Sequence, residues 1–206
     1  MDMTMILLMR HGETTGNRRD LIIGQKDYPL TEKGISSTEK LAELVTSYND
    51  GIILTSPLGR AQATAAILSN KTDWPILIVE DMRELSCGEW EGRSRKDVAP
   101  ERRFLRTTWT DIPPGGESYE EAETRVGGVI NAIKEIKEYE TIAVIGHASV
   151  NRVFLKLWLG FEPSQAMAVG QNHDTIYLLD SNGETKWINI QGEHGVERFD
   201  GNMLPP

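Results

Sequence analysis

The sequence predicts an α/β fold, a three-layer sandwich in which a mostly parallel sheet is flanked by helices. Short apolar runs typical of strands alternate with longer segments of helical periodicity. The runs are apolar throughout, as expected for strands covered on both faces. The 206 residues contain no repeat, low-complexity tract or Gly/Ser linker, so we predict a single domain over residues 1–206.

Four strands and four helices are predicted to alternate along the chain. The strands are residues 6–9, 51–55, 75–79 and 141–145, and the helices are 32–48, 57–70, a segment that starts after Ser118, and 150–159. Thr31 as an N-cap, Pro57 in a first turn and a Ser118–Glu121 capping box mark the first three helix starts. Gly127-Gly128 inside the third helix costs about 1 kcal/mol per glycine relative to alanine, so we expect close packing there.

Three segments lie outside this alternation. Residues 83–117 are predicted to form a short cap excursion that ends in a Pro-Pro-Gly-Gly turn. Residues 175–179 and 185–190 flank Ser181-Asn182-Gly183, which predicts a C-terminal hairpin and an antiparallel edge to the sheet. The tail from Gln191 onward is expected to be irregular.

Composition and charge exclude several classes of function. The chain carries 22 basic and 31 acidic residues, which gives a net charge of −9. This charge argues against general electrostatic binding to nucleic acid. No apolar run is long enough to span a membrane, and the N-terminus has no signal-peptide pattern. The single cysteine, Cys87, excludes an intrachain disulfide and a cysteine-rich zinc site. These features favour a cytoplasmic protein without nucleic-acid or membrane partners.

Charged and imidazole side chains follow the predicted strands. Arg10 and His11 come directly after the first strand, and Arg60 lies one helical turn beyond the second. Glu84 comes after the third strand and His147 after the fourth. Ligands of open α/β sheets bind in the crevice beyond the carboxyl ends of the strands. We therefore expect these five side chains to share one site.

This set of side chains suits the transfer of a phosphoryl group. Two guanidinium groups match the oxygens of a phosphate, and a neutral imidazole is a competent nucleophile near pH 7. A protonated carboxylic acid could supply a proton to the leaving oxygen. Phosphoryl transfer depends mainly on positioning and charge stabilisation, which fixed cations can supply without a metal.

Six stretches in order along the chain carry a resemblance to a known family. They are LLMRHGETTGN, PLTEKG, TSPLGRAQATA, RELSCGEWEG, PPGGES and VIGHASVNRVF. With them, nearly the whole chain resembles the histidine phosphatase superfamily in its phosphoglycerate mutase-like branch. Within that branch, its motifs are similar to those of small-metabolite phosphatases such as the α-ribazole phosphatases.

The resemblance implies a role for each matching residue. His11 would become the phosphohistidine, Glu84 would donate the proton to the leaving group, and His147 would contact the phosphoryl group. The other phosphate- and substrate-binding positions would be Arg10, Arg60, Asn17, Gly24 and Ala148. The resemblance implies no metal and no organic cofactor.

Several positions leave alternatives open. The glycine usual after the second histidine is Ala148 here, and alanine would be strained if that position required a positive φ. Glu89 and Glu91 compete with Glu84 for the role of the acid, although Glu84 follows the strand most closely. The remaining histidines are interpreted as structural or surface residues; they are His173 and His194.

Three functions remain in view. The first is a phosphatase that acts on a small phosphorylated metabolite, the second is a cofactor-dependent phosphoglycerate mutase, and the third is a phosphoprotein phosphatase or a non-catalytic phosphate-binding regulatory module. The short cap and the sequence of residues 83–88 favour the first. Basic cap residues either select an anionic substrate or form a solvated face; they are Arg93, Arg95, Lys96, Arg102, Arg103 and Arg106. The sequence leaves a homodimer open.

Overall fold

A seven-stranded mixed sheet forms the middle layer of the computed structural model, which describes residues 4–98, 106–180 and 185–196. In chain order the strands are β1 Met5–Arg10, β2 Gly51–Thr55, β3 Ile76–Ile78, β4 Thr141–Gly146, β5 Thr175–Leu179, β6 Thr185–Asn189 and β7 His194–Val196. Their spatial order is β3-β2-β4-β1-β5-β6-β7. The first four of that order are parallel, and β5 runs antiparallel to β1 and begins an antiparallel extension.

Helices cover both faces of the sheet. In chain order they are α1 Thr15–Arg18, α2 Glu32–Val45, α3 Gly59–Thr72, α4 Arg95–Val98, α5 Tyr119–Glu135, α6 Ala148–Leu159 and α7 Pro163–Ala168. Two predicted N-caps are confirmed: the Thr31 hydroxyl accepts the Gly34 N–H, and Ser118 with Glu121 forms a capping box. The short helices α1, α4 and α7 were not predicted, because four to six residues carry too little apolar periodicity to be recognised.

Alternate residues of β1 point into two different cores. Ile6 and Leu8 pack in a cluster with residues of α5 and α6, whereas Leu7 and Met9 pack with residues of α2 and α3. All four side chains are completely buried. Burial of such a side chain contributes about 1.5–3 kcal/mol relative to exposure. The predicted three-layer sandwich is therefore confirmed.

The third strand differs from the prediction of a buried strand over residues 75–79. In the structure β3 is shorter and lies at the edge of the sheet, where β2 is its partner. Its side chains are 41 %, 51 % and 48 % exposed, for Ile76, Leu77 and Ile78 respectively. An apolar run cannot reveal whether a strand is central, since the elements that cover it come from distant parts of the chain.

The C-terminal hairpin is confirmed in its strands, β5 and β6, while its predicted turn at 181–183 falls outside the described residues. The expectation of an irregular tail from Gln191 is wrong for residues 194–196, and residues 197–206 fall outside the described residues. Residues His194–Val196 form β7, which pairs antiparallel with β6. Three residues are too few to leave an alternating pattern in the sequence, and the pairing with β6 is what makes them a strand.

The structure describes the cap excursion over residues 83–98 and 106–117. The buried Arg106 holds the cap in place through two hydrogen bonds. Arg106 donates its Nε–H to the Glu117 carbonyl at 2.7 Å and an Nη2–H to the Ser86 carbonyl at 2.6 Å. Trp109 stacks on Tyr119 of α5 with ring centroids 4.6 Å apart. These contacts join both described parts of the cap to the start of α5.

The two glycines inside α5 do not pack closely, so the expectation of close packing is wrong. A Cβ atom on Gly127 would come no nearer than 3.9 Å to another heavy atom, the Leu157 Cδ1, and one on Gly128 would meet nothing within 4 Å. Neither residue has a positive φ. The backbone and the surroundings therefore accept a methyl group at both positions.

Gly127→Ala and Gly128→Ala are each expected to raise the free energy of unfolding by about 0.5–1 kcal/mol, because alanine has the higher helix propensity and restricts the unfolded chain. Urea denaturation would measure the change. Gly34→Ala in α2 is the matched control: its Cβ would lie 2.2 Å from the Glu13 carbonyl oxygen, so this variant should be destabilised. A loss of stability in either α5 variant would contradict the prediction.

The described residues include no helix with the length and apolar character that crossing a membrane would require.

Candidate active site

Three adjacent strands end at the same edge of the sheet. The His11 N–H donates to the Gly146 carbonyl at 3.0 Å, and the Ser56 N–H donates to the Ile145 carbonyl at 3.1 Å. These bonds hold the residues that follow β1, β2 and β4 side by side. The His11 and His147 rings consequently lie with their centroids 5.0 Å apart, although the residues are far apart in the chain.

Two hydrogen bonds set the orientation and tautomer of His11. Its Nδ1 lies 2.8 Å from the Gly12 carbonyl oxygen, which can only accept, so Nδ1 carries the proton. The Arg60 Nε–H donates to the His11 Nε2 at 3.2 Å. Nε2 is therefore the nitrogen with a lone pair, and it is the atom that can act as a nucleophile.

Both arginines are anchored through their guanidinium groups. Arg60, at the start of α3, donates to the Gly24 carbonyl at 2.8 Å and forms a 3.1 Å ion pair with Asp27. Arg10, the last residue of β1, donates to the Gln171 carbonyl at 2.9 Å. Burial lowers the pKa of Arg10 to about 10, which still leaves it charged at neutral pH. The two cations thus have fixed positions beside His11.

Glu84 follows a 3₁₀ turn over Glu80–Met82 and docks on the N-terminus of α6. Its carboxylate accepts backbone N–H groups of Ser149 and Val150, each at 3.1 Å, and of Leu85 at 2.9 Å. The side chain is only 9 % exposed. Since helix N-termini favour anions, α6 holds this carboxylate at the wall of the cavity described below.

The two competing carboxylates lie elsewhere. Glu89 is exposed on the cap. Glu91 accepts the backbone N–H groups of Gln25 at 3.0 Å and Cys87 at 2.9 Å, so it braces the cap against the loop that carries Gly24. Neither residue lines the cavity that contains Glu84.

A cavity of about 480 Å³ opens at this edge of the sheet. Seven of the predicted site residues line it: Arg10, His11, Asn17, Gly24, Arg60, Glu84 and Ala148. His147 is completely buried and is not among the residues that line the cavity, but its ring adjoins that of His11, which does line it. Among the basic cap residues, Arg95 and Arg106 line the cavity, Arg93 and Lys96 are exposed, and Arg102 and Arg103 fall outside the described residues.

The three predicted substrate-binding residues have different local structures. The Asn17 Oδ1 accepts the Thr14 N–H at 3.0 Å in a capping box that shapes α1. Gly24 has a φ of +53°, and a Cβ there would lie 2.2 Å from the Glu91 Oε1, so the position requires glycine. Ala148 begins α6 and is not among the described non-glycine residues with positive φ, so the strain considered for alanine does not arise.

Sequence reasoning did not assign His173 to the site. It lies two residues before the start of β5, and because β5 is antiparallel to β1, the start of β5 lies beside the end of β1. The His173 Nδ1–H donates to the His11 carbonyl at 2.6 Å, and the two rings are 5.3 Å apart. Reading only the residues that follow each strand misses a residue that precedes an antiparallel one.

Burial keeps all three imidazoles neutral. It lowers the pKa of His11 and of His147 well below 6.5, and Arg10 and Arg60 lower both further. Burial, reinforced by Arg10, lowers the pKa of His173 to about 3. A neutral His11 keeps the lone pair on Nε2 that a nucleophile needs.

The same shifts predict that acid destabilises the fold. The unfolded histidines have pKa values of about 6.5, so below that pH the unfolded state binds more protons and stability falls as the pH falls. Each buried imidazole would contribute a loss of up to about 1.4 kcal/mol per pH unit. Urea denaturation between pH 8 and pH 5 should show a plateau above pH 7 and a decline below about pH 6.5.

His173→Gln removes one of the three titrating groups and is the control. The slope between pH 6.5 and pH 5 should become shallower in this variant, whatever its absolute stability. Free energies of unfolding that do not change over this interval would contradict the neutral, buried state of these imidazoles.

The thiol of Cys87 also lines the cavity. Burial raises its pKa to about 11, so it stays protonated and is a poor competitor to His11 as a nucleophile. In the part of the chain that the structure describes, no three or more His, Cys, Asp or Glu side chains form a group that could hold a metal ion.

Comparisons with known proteins identify the family of the chain. The family profile of the histidine phosphatase superfamily (branch 1) matches residues 6–192. The adenosylcobalamin/alpha-ribazole phosphatase of Escherichia coli K12 is 31 % identical over 165 residues, which cover 78 % of this chain and 81 % of that protein. A protein of Yersinia enterocolitica named Probable phosphoglycerate mutase GpmB is 30 % identical over 191 residues, covering 90 % of this chain and 88 % of the relative.

A solved structure supports the same relationship. The alpha-ribazole phosphatase from Shigella flexneri superimposes with a TM-score of 0.72 at 26 % identity, over 94 % of this chain and 95 % of that one. The chain is therefore a phosphohydrolase that belongs to the histidine phosphatase superfamily, in its phosphoglycerate mutase-like branch.

Proposed function

We propose that the protein hydrolyses a phosphate monoester of a small metabolite through a covalent phosphohistidine on Nε2 of His11. The orientation of His11 is the observation that carries the proposal. Its Nδ1–H donates a hydrogen bond to the Gly12 carbonyl, which leaves the lone pair on Nε2. Nε2 lies 3.2 Å from the Arg60 Nε, so the guanidinium cation is in place to bind the incoming phosphoryl oxygens. Glu84 lines the same cavity and supplies a carboxyl group.

In the first step the lone pair of Nε2 attacks phosphorus and the P–O bond to the leaving group breaks. The leaving oxygen takes a proton from the carboxyl group of Glu84. The phosphoryl oxygens lie between Arg10, Arg60 and His147, which stabilise the negative charge that they carry in the transition state. The product alcohol then leaves the cavity.

In the second step water attacks the phosphorus of the phosphohistidine. The Glu84 carboxylate, left unprotonated by the first step, takes a proton from this water. The P–N bond breaks, its electron pair returns to Nε2, and inorganic phosphate leaves. The sum of both steps is one ester and one water converted to one alcohol and one phosphate.

The charge of the cavity supports a substrate with more than one anionic group. Among the described residues five arginines line the cavity, whereas Glu84 is the one carboxylate there. Arg10 and Arg60 suffice for the transferred phosphoryl group, and two further arginines line the same cavity. These are Arg95, which pairs with Asp20 at 3.5 Å, and Arg152, whose Nε–H donates to the Val169 carbonyl at 3.1 Å. A charge-assisted hydrogen bond contributes about 1.5–3 kcal/mol, so a second anion would increase kcat/KM at least about tenfold.

Phosphate release from a panel of phosphorylated metabolites tests the proposal. The panel should contain matched pairs, such as 3-phosphoglycerate and glycerol 3-phosphate, which differ by a carboxylate. We expect metal-independent release, unchanged by EDTA, with the higher kcat/KM for the acid. Failure to release phosphate from any of the compounds, or strong inhibition by EDTA, would overturn the proposal.

The mutase alternative is tested with the same compounds. A mutase returns the phosphoryl group to the substrate instead of to water, so it interconverts 2- and 3-phosphoglycerate when primed with 2,3-bisphosphoglycerate. We expect phosphate release to dominate with and without the bisphosphate. Rapid interconversion with little phosphate release would identify a mutase instead.

A further inference from the structure

We propose that Ser56 is a positioning residue that holds His147 in its Nδ1–H tautomer, so that the ring donates a hydrogen bond to the transferred phosphoryl group. The inference rests on the proposed function and adds a residue to its machinery. Ser56 is the first residue after β2 and is completely buried. Its Oγ lies 2.7 Å from the His147 Nε2.

Two contacts define what the Ser56 hydroxyl can do. The Leu58 N–H donates to Oγ at 3.2 Å, which uses one of its two lone pairs. Within the described residues, the other partner of Oγ is the His147 Nε2. The hydroxyl proton therefore has a single acceptor available, which is that ring nitrogen.

Counting hydrogen bonds distinguishes the two neutral tautomers of His147. The His147 Nδ1 is buried and has no hydrogen-bond partner within the described residues. With the proton on Nε2, both the Ser56 hydroxyl proton and the Nδ1 lone pair would be unpaired. With the proton on Nδ1, Ser56 donates to Nε2 and the Nδ1–H alone is unpaired. Each arrangement leaves one buried donor unpaired, but the first also leaves the Nδ1 acceptor unpaired. Since every unpaired buried polar atom is unfavourable, the second arrangement is preferred.

The unpaired Nδ1–H is what a phosphoryl group needs. The His147 ring lies 5.0 Å from that of His11, close enough for its remaining donor to meet an oxygen of a phosphoryl group bound to His11. In the opposite tautomer a nitrogen lone pair would face that oxygen, which would be repulsive. Ser56 thus decides whether the interaction between His147 and the phosphoryl group is attractive or repulsive, although Ser56 does not contact the substrate. The low pKa of His147 agrees with this assignment, because a neutral ring has a choice of tautomer.

The decisive measurement is the protonation of the His147 ring nitrogens in the resting protein. ¹⁵N NMR of protein labelled at histidine, with the His147 signals assigned from a His147→Gln spectrum, reports this without any activity. We expect a protonated Nδ1 and an unprotonated Nε2 in the wild type. A protonated Nε2 in the wild type would overturn the proposal even if the enzyme is a phosphatase.

Variants of Ser56 test the functional consequence. In Ser56→Ala the Nε2–H tautomer should appear, kcat should fall on the order of 10²-fold, and binding of inorganic phosphate should weaken. Ser56→Thr keeps the hydroxyl and should keep the Nδ1–H tautomer and most of the activity. Ser37→Ala, at a buried serine in α2, is the control for a general effect of removing a hydroxyl and should leave tautomer and kcat unchanged.

The outcomes separate this proposal from the proposed function. A wild-type tautomer and wild-type kcat in Ser56→Ala would overturn the role of Ser56 while leaving the phosphatase assignment intact. An inactive wild type with a protonated Nδ1 would instead count against the phosphatase and leave the assignment of the tautomer standing.

Discussion

His11→Ala is expected to lower kcat by on the order of 10⁴–10⁶-fold and to remove the acid-labile phosphoenzyme, because no other nucleophile lies at the same position. The nearest imidazole, His147, uses its Nε2 for Ser56, and the thiol of Cys87 has a pKa raised to about 11 by burial. Quenching the reaction with radiolabelled substrate in base and in acid would measure the phosphoenzyme. Phosphohistidine survives base and is lost in acid.

The variant should still bind phosphate, and this is its control. Arg10 and Arg60 are held by the Gln171 carbonyl and by Asp27, contacts that do not involve His11. Retained binding of inorganic phosphate in His11→Ala would show that the site is folded. Wild-type turnover in this variant would exclude His11 as the nucleophile.

Glu84→Gln is expected to slow phosphate release by about 10²–10⁴-fold for alkyl phosphates, and by much less for activated aryl phosphates. An alkoxide needs a proton to leave, whereas a nitrophenolate does not. Glutamine keeps an oxygen in place of Oε1, which accepts the Leu85 and Val150 N–H groups, so the docking on α6 should persist. Steady-state kinetics with leaving groups of graded pKa would measure the effect.

Glu89→Gln is the matched control, since Glu89 belongs to the same cap segment but is exposed and does not line the cavity. It should retain wild-type kinetics with every leaving group. An equal loss for all leaving groups in Glu84→Gln would mean that Glu84 acts by holding the N-terminus of α6. That result would contradict its role as the proton donor.

The helix starts and the central strands could be predicted because their signals are local. A hydroxyl followed by a glutamate three residues later, as in Ser118 and Glu121, satisfies backbone N–H groups that are only three residues apart. The candidate site could be predicted from the same local reading, since Arg10 is the last residue of one strand and His11 and His147 each follow a strand directly. All three positions follow from the rule that parallel strands share one carboxyl edge.

The failures share a different physical cause. The run at 75–79 is apolar, yet the side chains of β3 are about half exposed, because this strand lies at the edge of the sheet and outside both core clusters. Gly127 and Gly128 suggested close packing, but the partner helix leaves room for a methyl group at both positions. Each of these properties depends on a neighbour that is remote in the chain, so no window of adjacent residues contains it.

The sequence by itself determined the α/β class, the residues delivered to the strand ends and the kind of chemistry that they suit, because these depend on residue types and short spacings. Only the tertiary structure decided which nitrogen of His11 is available, that His173 donates to the His11 carbonyl and that Ser56 contacts His147. Those contacts join residues up to 162 positions apart, and they exist only once strand order and direction are set.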